Sequence, residues 1–288
     1  MFQRPFNIST VDLPMKRSFQ WRVFVVLVAL YFLANIAGIP LLRKTHVPIE
    51  PVWFWGVATR VATLVIALGL AMANRTGLGA PLLEGRLPKE DLPNWLRSGL
   101  ALTVLMLIVG FPLSLIANLS ADPATYPFGW ELLGASFKAG VVEEILSRLF
   151  LVSLFVWLGG LFKRNAEGRP TRGVYWAAIL LAALIFGWGH VDARLSHPAA
   201  TFEGYALIMV LSSSLGIYFG WLFWKLGLEW ALFAHFAYDA FVSMIVIPVY
   251  LLKSPIIWFV LVTGLVIASV ISFRFLTRDQ PNARLHKT

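Results

Sequence analysis

The chain contains no cysteine, which excludes disulfide crosslinks, thiolate nucleophiles and Cys-ligated zinc. Charge is scarce as well, at 14% of residues. No polar block is long enough to separate two soluble domains. No glycine-rich cradle stands between a strand and a helix, so neither ATP nor nicotinamide is assigned. Acidic residues are the rarer sign, 15 against 24 Lys and Arg. The basic residues sit between apolar segments instead of covering one surface, which argues against nucleic acid and for membrane topology and anionic lipid head groups.

What the chain has in quantity is apolar surface: 58% hydrophobic residues, with 12 Trp and 22 Phe, and a mean hydropathy of +0.74. These values predict an all-α, polytopic transmembrane helical bundle. About eight spans are expected: 23–42, 52–73, 99–119, the central part of 129–157, 174–190, 205–224, 230–250 and 256–273. They form one transmembrane domain over 23–276, between an amino tail (1–22) and a carboxyl tail (277–288), and no cleaved signal peptide is expected. Arg60 in the second span reads as an interfacial anchor, and Pro112 is expected to bend the third. Residues 74–97 read as a connector. Even-numbered spans place both tails on one side, and that side collects 17 Lys or Arg residues against 4 on the other. The positive-inside rule then makes both termini cytoplasmic, in a membrane expected to be bacterial.

The span within Gly129–Trp157 breaks the apolar pattern with Glu143, Glu144 and Arg148. Ionisable groups at membrane depth are costly and face a cavity, a partner or a reaction. Glu144 and Arg148 are four residues apart and share a helix face, so they can pair. Glu143 is turned by about 100° and faces elsewhere. Two later spans add histidines: Phe186 and His190 lie four apart in FGWGH, and His235 and Asp239 four apart in HFAYD. Asp239 can orient His235 by accepting a ring N–H. His46, His197 and His286 fall in connectors or a tail and are weaker candidates. A difficulty is visible at once: His190 falls near the outer end of its span, Glu143 near the middle and His235 toward the inner part of its own. Straight helices do not automatically bring them together, and shifted boundaries or a return of residues 191–203 into the protein would resolve it.

In this order the motifs resemble the CPBP family, the intramembrane proteases that include bacterial relatives of the CAAX prenyl endopeptidase and Abi-type proteins. Its EExxxR pattern matches Glu143, Glu144 and Arg148, its FxxxH pattern Phe186 and His190, and its HxxxN-or-D pattern His235 and Asp239, over 130–239. The resemblance implies peptide-bond hydrolysis in or near the membrane. Glu143 would take a proton from water that His190 positions, His235 and Asp239 would stabilise the oxyanion, and Glu144 with Arg148 and Phe186 would support the site. Asp239 departs from the Asn of CAAX-processing members, and an ionised Asp cannot donate to an oxyanion. No cofactor is expected. If a metal is bound, the expected ion is zinc on Glu143, His190 and His235, although no HExxH motif is present. The expected partners are the bilayer and a membrane-associated protein or peptide substrate. Two other classes use the same residue types: a noncatalytic membrane immunity or partner-binding protein, and a proton-coupled transporter.

Overall fold

The computed structural model describes residues 19–46, 52–117, 129–192, 202–253 and 255–277. In chain order the elements are α1 (Trp21–Lys44), α2 (Val52–Thr76), α3 (Leu92–Ala117), α4 (Glu131–Glu144), the π-helical segment π1 (Ile145–Val152), α5 (Ser153–Phe162), α6 (Arg172–Asp192), α7 (Phe202–Leu226), α8 (Leu228–Phe241), the π-helical segment π2 (Val242–Val246), α9 (Ile247–Leu252) and α10 (Pro255–Thr277). The described residues hold no strand; one isolated bridge joins Arg164 to Pro170. The protein is an all-α bundle of membrane type, and α4–π1–α5 and α8–π2–α9 each run on without a break.

Five of the resulting rods are long and apolar enough to cross a membrane: α1, α3 (over Leu92–Pro112), Glu131–Phe162, α6 (over Arg172–Val191) and α7. Length and composition thus give five candidate spans among the described residues, where the sequence pattern suggests eight. Two other rods carry polar groups: Arg60 and Asn74 lie in α2, and Glu229, His235 and Asp239 in α8. α10 is uncharged from Pro255 to Phe273.

Boundaries move where local chemistry is strong. α3 starts at Leu92, well inside the expected connector, because Pro93 suits the first helical turn, where no backbone donor is required. The Asp91 carbonyl then accepts from Trp95 N at 2.9 Å. The helix continues through Pro112 to Ala117. Arg60 is exposed on α2, and His46 is exposed just beyond α1. His197, His286, most of the 191–203 stretch and nearly all of both tails lie outside the described residues.

Two apolar cores hold the bundle. One draws Leu27, Ile66, Leu70, Ile145, Leu149, Val152 and Ile179 together from α1, α2, π1 and α6. The other gathers Leu102, Met106, Phe219, Leu222 and Trp230 from α3, α7 and α8. α8 joins both, carrying Leu228 and Ala231 to the first and Ala234 and Tyr238 to the second. Its start is fixed by a connector from far upstream. Leu228 N donates to Gly79 O at 2.9 Å, and Glu229 Oε1 accepts from the amides of Leu82 and Leu83 at 2.9 and 3.0 Å. Gly227 makes the tight α7–α8 turn possible, with φ at 100°, a region costly for residues with a side chain. Trp95 Nε1 donates to Leu226 O at 2.8 Å and ties α3 to the same turn.

Candidate active site

The difficulty of depth disappears when positions are counted from the α5–α6 hairpin instead of from span ends. Gly159 packs against Val174 across that hairpin. Glu143 lies sixteen residues before the first, and His190 sixteen after the second. The path to His190 is α-helical and about 24 Å long at 1.5 Å per residue, while the equal count back to Glu143 runs through π1, and the two side chains arrive at neighbouring levels.

α8 reaches the same point because it approaches α4 closely. A Cβ on Gly140 would stand 2.8 Å from the backbone N of Phe236, so only glycine permits this separation. His235 and Phe236 are adjacent, and His235 is thereby delivered to the end of α4.

There the cluster forms. Glu143 Oε2 lies 3.8 Å from His190 Nε2 and 3.8 Å from His235 Nε2. Asp239 Oδ2 lies 3.5 Å from His235 Nε2. Glu144 and Arg148 pair at 3.1 Å across the junction of α4 and π1, and both are buried. All seven residues singled out in the sequence therefore meet in one region: Glu143, Glu144, Arg148, Phe186, His190, His235 and Asp239.

Several contacts are invisible in the motifs. Glu144 pairs with Arg148 and also takes the other nitrogen of His235, with Oε1 2.8 Å from Nδ1. Asp239 is thus one of three carboxylates around this ring, and the closest belongs to Glu144. With Nδ1–H donated to Glu144, Nε2 is the nitrogen turned toward Glu143 and Asp239. Phe219 of α7 stacks on the His235 ring, with centroids 4.7 Å apart and planes 13° from parallel. The Arg148 guanidinium lies 4.6 Å from the Phe186 centroid and 5.4 Å from that of Phe219, and its Nη2 donates to Gly216 O at 3.2 Å. His190 is set by its own helix, with Nδ1 2.9 Å from Phe186 O. That contact leaves Nε2 for Glu143.

Exposure divides the cluster in two. The side chains of Glu143, His190 and Asp239 are 36%, 40% and 31% exposed, while Glu144, Arg148 and His235 are 5% or less. The first three border the open side of the cluster, although Glu143 Oε2 itself is buried. The others form a buried scaffold of opposite charges, whose worth lies in mutual compensation: removing one partner leaves an uncompensated buried charge.

Residues 125–241 match the family model described as Type II CAAX prenyl endopeptidase Rce1-like. The match covers every residue of the cluster. It spans 117 of 288 residues, so the similarity is that of the segment building the site. Comparison with curated proteins and with solved structures gave no match.

Among the described residues, no group of three or more His, Asp or Glu side chains is arranged to hold a metal ion. The separations of 3.8 Å from Glu143 Oε2 to each Nε2 exceed the roughly 3.4 Å expected between tetrahedral ligands at zinc bond lengths.

Proposed function

We propose that the protein is an intramembrane endopeptidase of the CPBP type, hydrolysing a peptide bond of a membrane-associated protein or peptide with water activated by Glu143. One observation carries this reading. Glu143 Oε2 is buried, has no hydrogen-bond partner among the described residues and faces two imidazole Nε2 atoms at 3.8 Å each. That distance is too long for a direct hydrogen bond and short enough for one water to touch the carboxylate and a ring together.

In this mechanism Glu143 takes a proton as the water oxygen attacks the scissile carbonyl carbon, while His190 Nε2 orients the water. The carbonyl π electrons move to oxygen, and a protonated His235 Nε2 donates to that oxyanion. Collapse of the tetrahedral species breaks the C–N bond, and the proton held by Glu143 passes to the leaving amine. Asp239 acts through His235: its carboxylate accepts from Nε2–H before the reaction and gives up that hydrogen bond to the oxyanion as it forms, since an ionised Asp cannot itself donate. Glu144 fixes the ring from the opposite nitrogen, and Arg148 compensates Glu144. The membrane-spanning setting supports a substrate presented in or at the bilayer. The charge distribution supports a multi-pass protein of eight spans with cytoplasmic termini.

The test is cleavage of a membrane-peptide library by purified protein in nanodiscs. Glu143→Gln should keep expression and unfolding temperature and lower kcat by at least about 10²-fold, within the range of a lost general base. Equal cleavage by the variant removes Glu143 from catalysis. Solute-dependent flux or partner binding that survives the substitution would move the protein to the transport or immunity class. The reaction is proposed to need no resident metal. Stoichiometric zinc in active protein, with activity lost on chelation and restored by zinc, overturns that part.

A further inference from the structure

A second polar cluster lies at the far end of α6 from His190, around the α5–α6 hairpin. Tyr175 and Trp224 stack with centroids 4.9 Å apart and planes 7° from parallel, and Trp176 meets Trp224 edge-on at 5.9 Å and 84°. Lys225 Nζ lies 3.8 Å from the Trp224 ring centroid. Arg172, the first residue of α6, is exposed, and its charge acts on Lys225 repulsively. Two cations are therefore set beside one another, and neither has an ion-pair partner among the described residues. The 159–173 hairpin contains a single acid, Glu167. Two like charges, one of them over an aromatic face, make an arrangement that an anion stabilises.

The surface running away from this pair distinguishes a lipid from a free anion. Arg172, Trp176, Leu180, Leu184 and Trp188 follow each other at intervals of four along α6, and all are exposed. Trp176 to Trp188 spans about 18 Å at 1.5 Å per residue, close to the roughly 15 Å of hydrocarbon in one leaflet. The ridge thus places a cation and an interfacial aromatic at one end, and an aliphatic track of about acyl-chain length beyond them.

We propose that Arg172 and Lys225, beside Trp176 and Trp224, bind the phosphate headgroup of one anionic phospholipid whose acyl chain lies along Leu180 and Leu184. The site is separate from the Glu143 cluster, and its occupancy does not depend on peptide hydrolysis.

Native mass spectrometry of the full-length protein, titrated with phosphatidylglycerol or phosphatidylcholine in detergent, tests the assignment. Wild type should retain one phosphatidylglycerol with at least tenfold preference over phosphatidylcholine. Arg172→Gln/Lys225→Gln should bring that preference below twofold, whereas Arg274→Gln, an exposed basic residue on α10, should keep it. The unfolding midpoint in phosphatidylcholine nanodiscs checks the fold. Should the double variant be unstable, Lys225→Gln alone should reduce the preference at least threefold. A preference that survives the loss of both cations, or that wild type never shows, overturns the site. Displacement of the lipid by millimolar glycerol phosphate also overturns the lipid assignment, because it identifies a headgroup-only anion site.

Discussion

His235 is the most constrained side chain of the cluster. One ring face rests on Phe219, Nδ1 meets Glu144 at 2.8 Å, and Nε2 is left facing Glu143 and Asp239. Glu144 therefore has two dependants, since Arg148 also relies on it. Glu144→Gln keeps the shape and removes the charge. It should destabilise the protein by about 3–5 kcal/mol, the usual cost of leaving one buried charge unpaired. Thermal unfolding and cleavage rate should both fall, and Glu144→Gln/Arg148→Met should recover much of the stability without the activity. Restored activity in that double variant would remove Glu144 from the positioning of His235. Phe219 gives a cleaner separation of packing from positioning. Phe219→Leu should cost no more than about 1.5 kcal/mol if the core adjusts, yet lower kcat about tenfold with KM unchanged, because the ring loses its stacking surface. Phe219→Tyr should preserve the rate if the added hydroxyl is accommodated, and an unchanged kcat in Phe219→Leu would argue against a positioning role.

At the scale of helices, the site depends on one close approach. A side chain at Gly140 must push α8 away from α4, since the clash is with the backbone of Phe236. Gly140→Val should therefore lower cleavage by at least tenfold while leaving the helical content by circular dichroism intact. A crosslink between cysteines placed on α4 and α8 should form more slowly in that variant; full activity would show that the approach is dispensable. Much of the cluster is readable from spacing alone. Glu144 and Arg148 share a face at four residues apart, while Glu143 is rotated away, and the structure has that division. The contact between Glu144 and His235 joins residues 91 apart, and local spacing carries no information about it. Phe219 is one of 22 phenylalanines and has no motif of its own. The apparent mismatch in depth came from measuring each helix from its own expected ends, whereas the α5–α6 hairpin aligns Glu143 with His190. The π-helical geometry of π1 and π2 is also silent in sequence, because it changes the hydrogen-bond partner by one residue without requiring a particular side chain.

For the whole molecule, the absence of cysteine becomes useful. Any single cysteine is the only thiol, so sidedness can be read with a membrane-impermeant maleimide. Glu167→Cys, in the basic hairpin, should react only from the cytoplasmic face, and His46→Cys, beyond α1, only from the opposite one. Labelling of both from one side would overturn the eight-span arrangement with cytoplasmic termini.

The docking of the 78–87 connector on the start of α8 has a consequence for biogenesis. Leu83 waits for Glu229, 146 residues later in the chain. At translation rates of about 5–20 residues per second, that partner emerges roughly 7–30 s afterwards. For most of the interval, from the completion of α3 at Ala117 onward, α2 and α3 are made while the contact that closes their connector is not. The amino-terminal helices must therefore persist in the membrane as a half-assembled intermediate, and the arrival of α8 completes their connector and the candidate active site together.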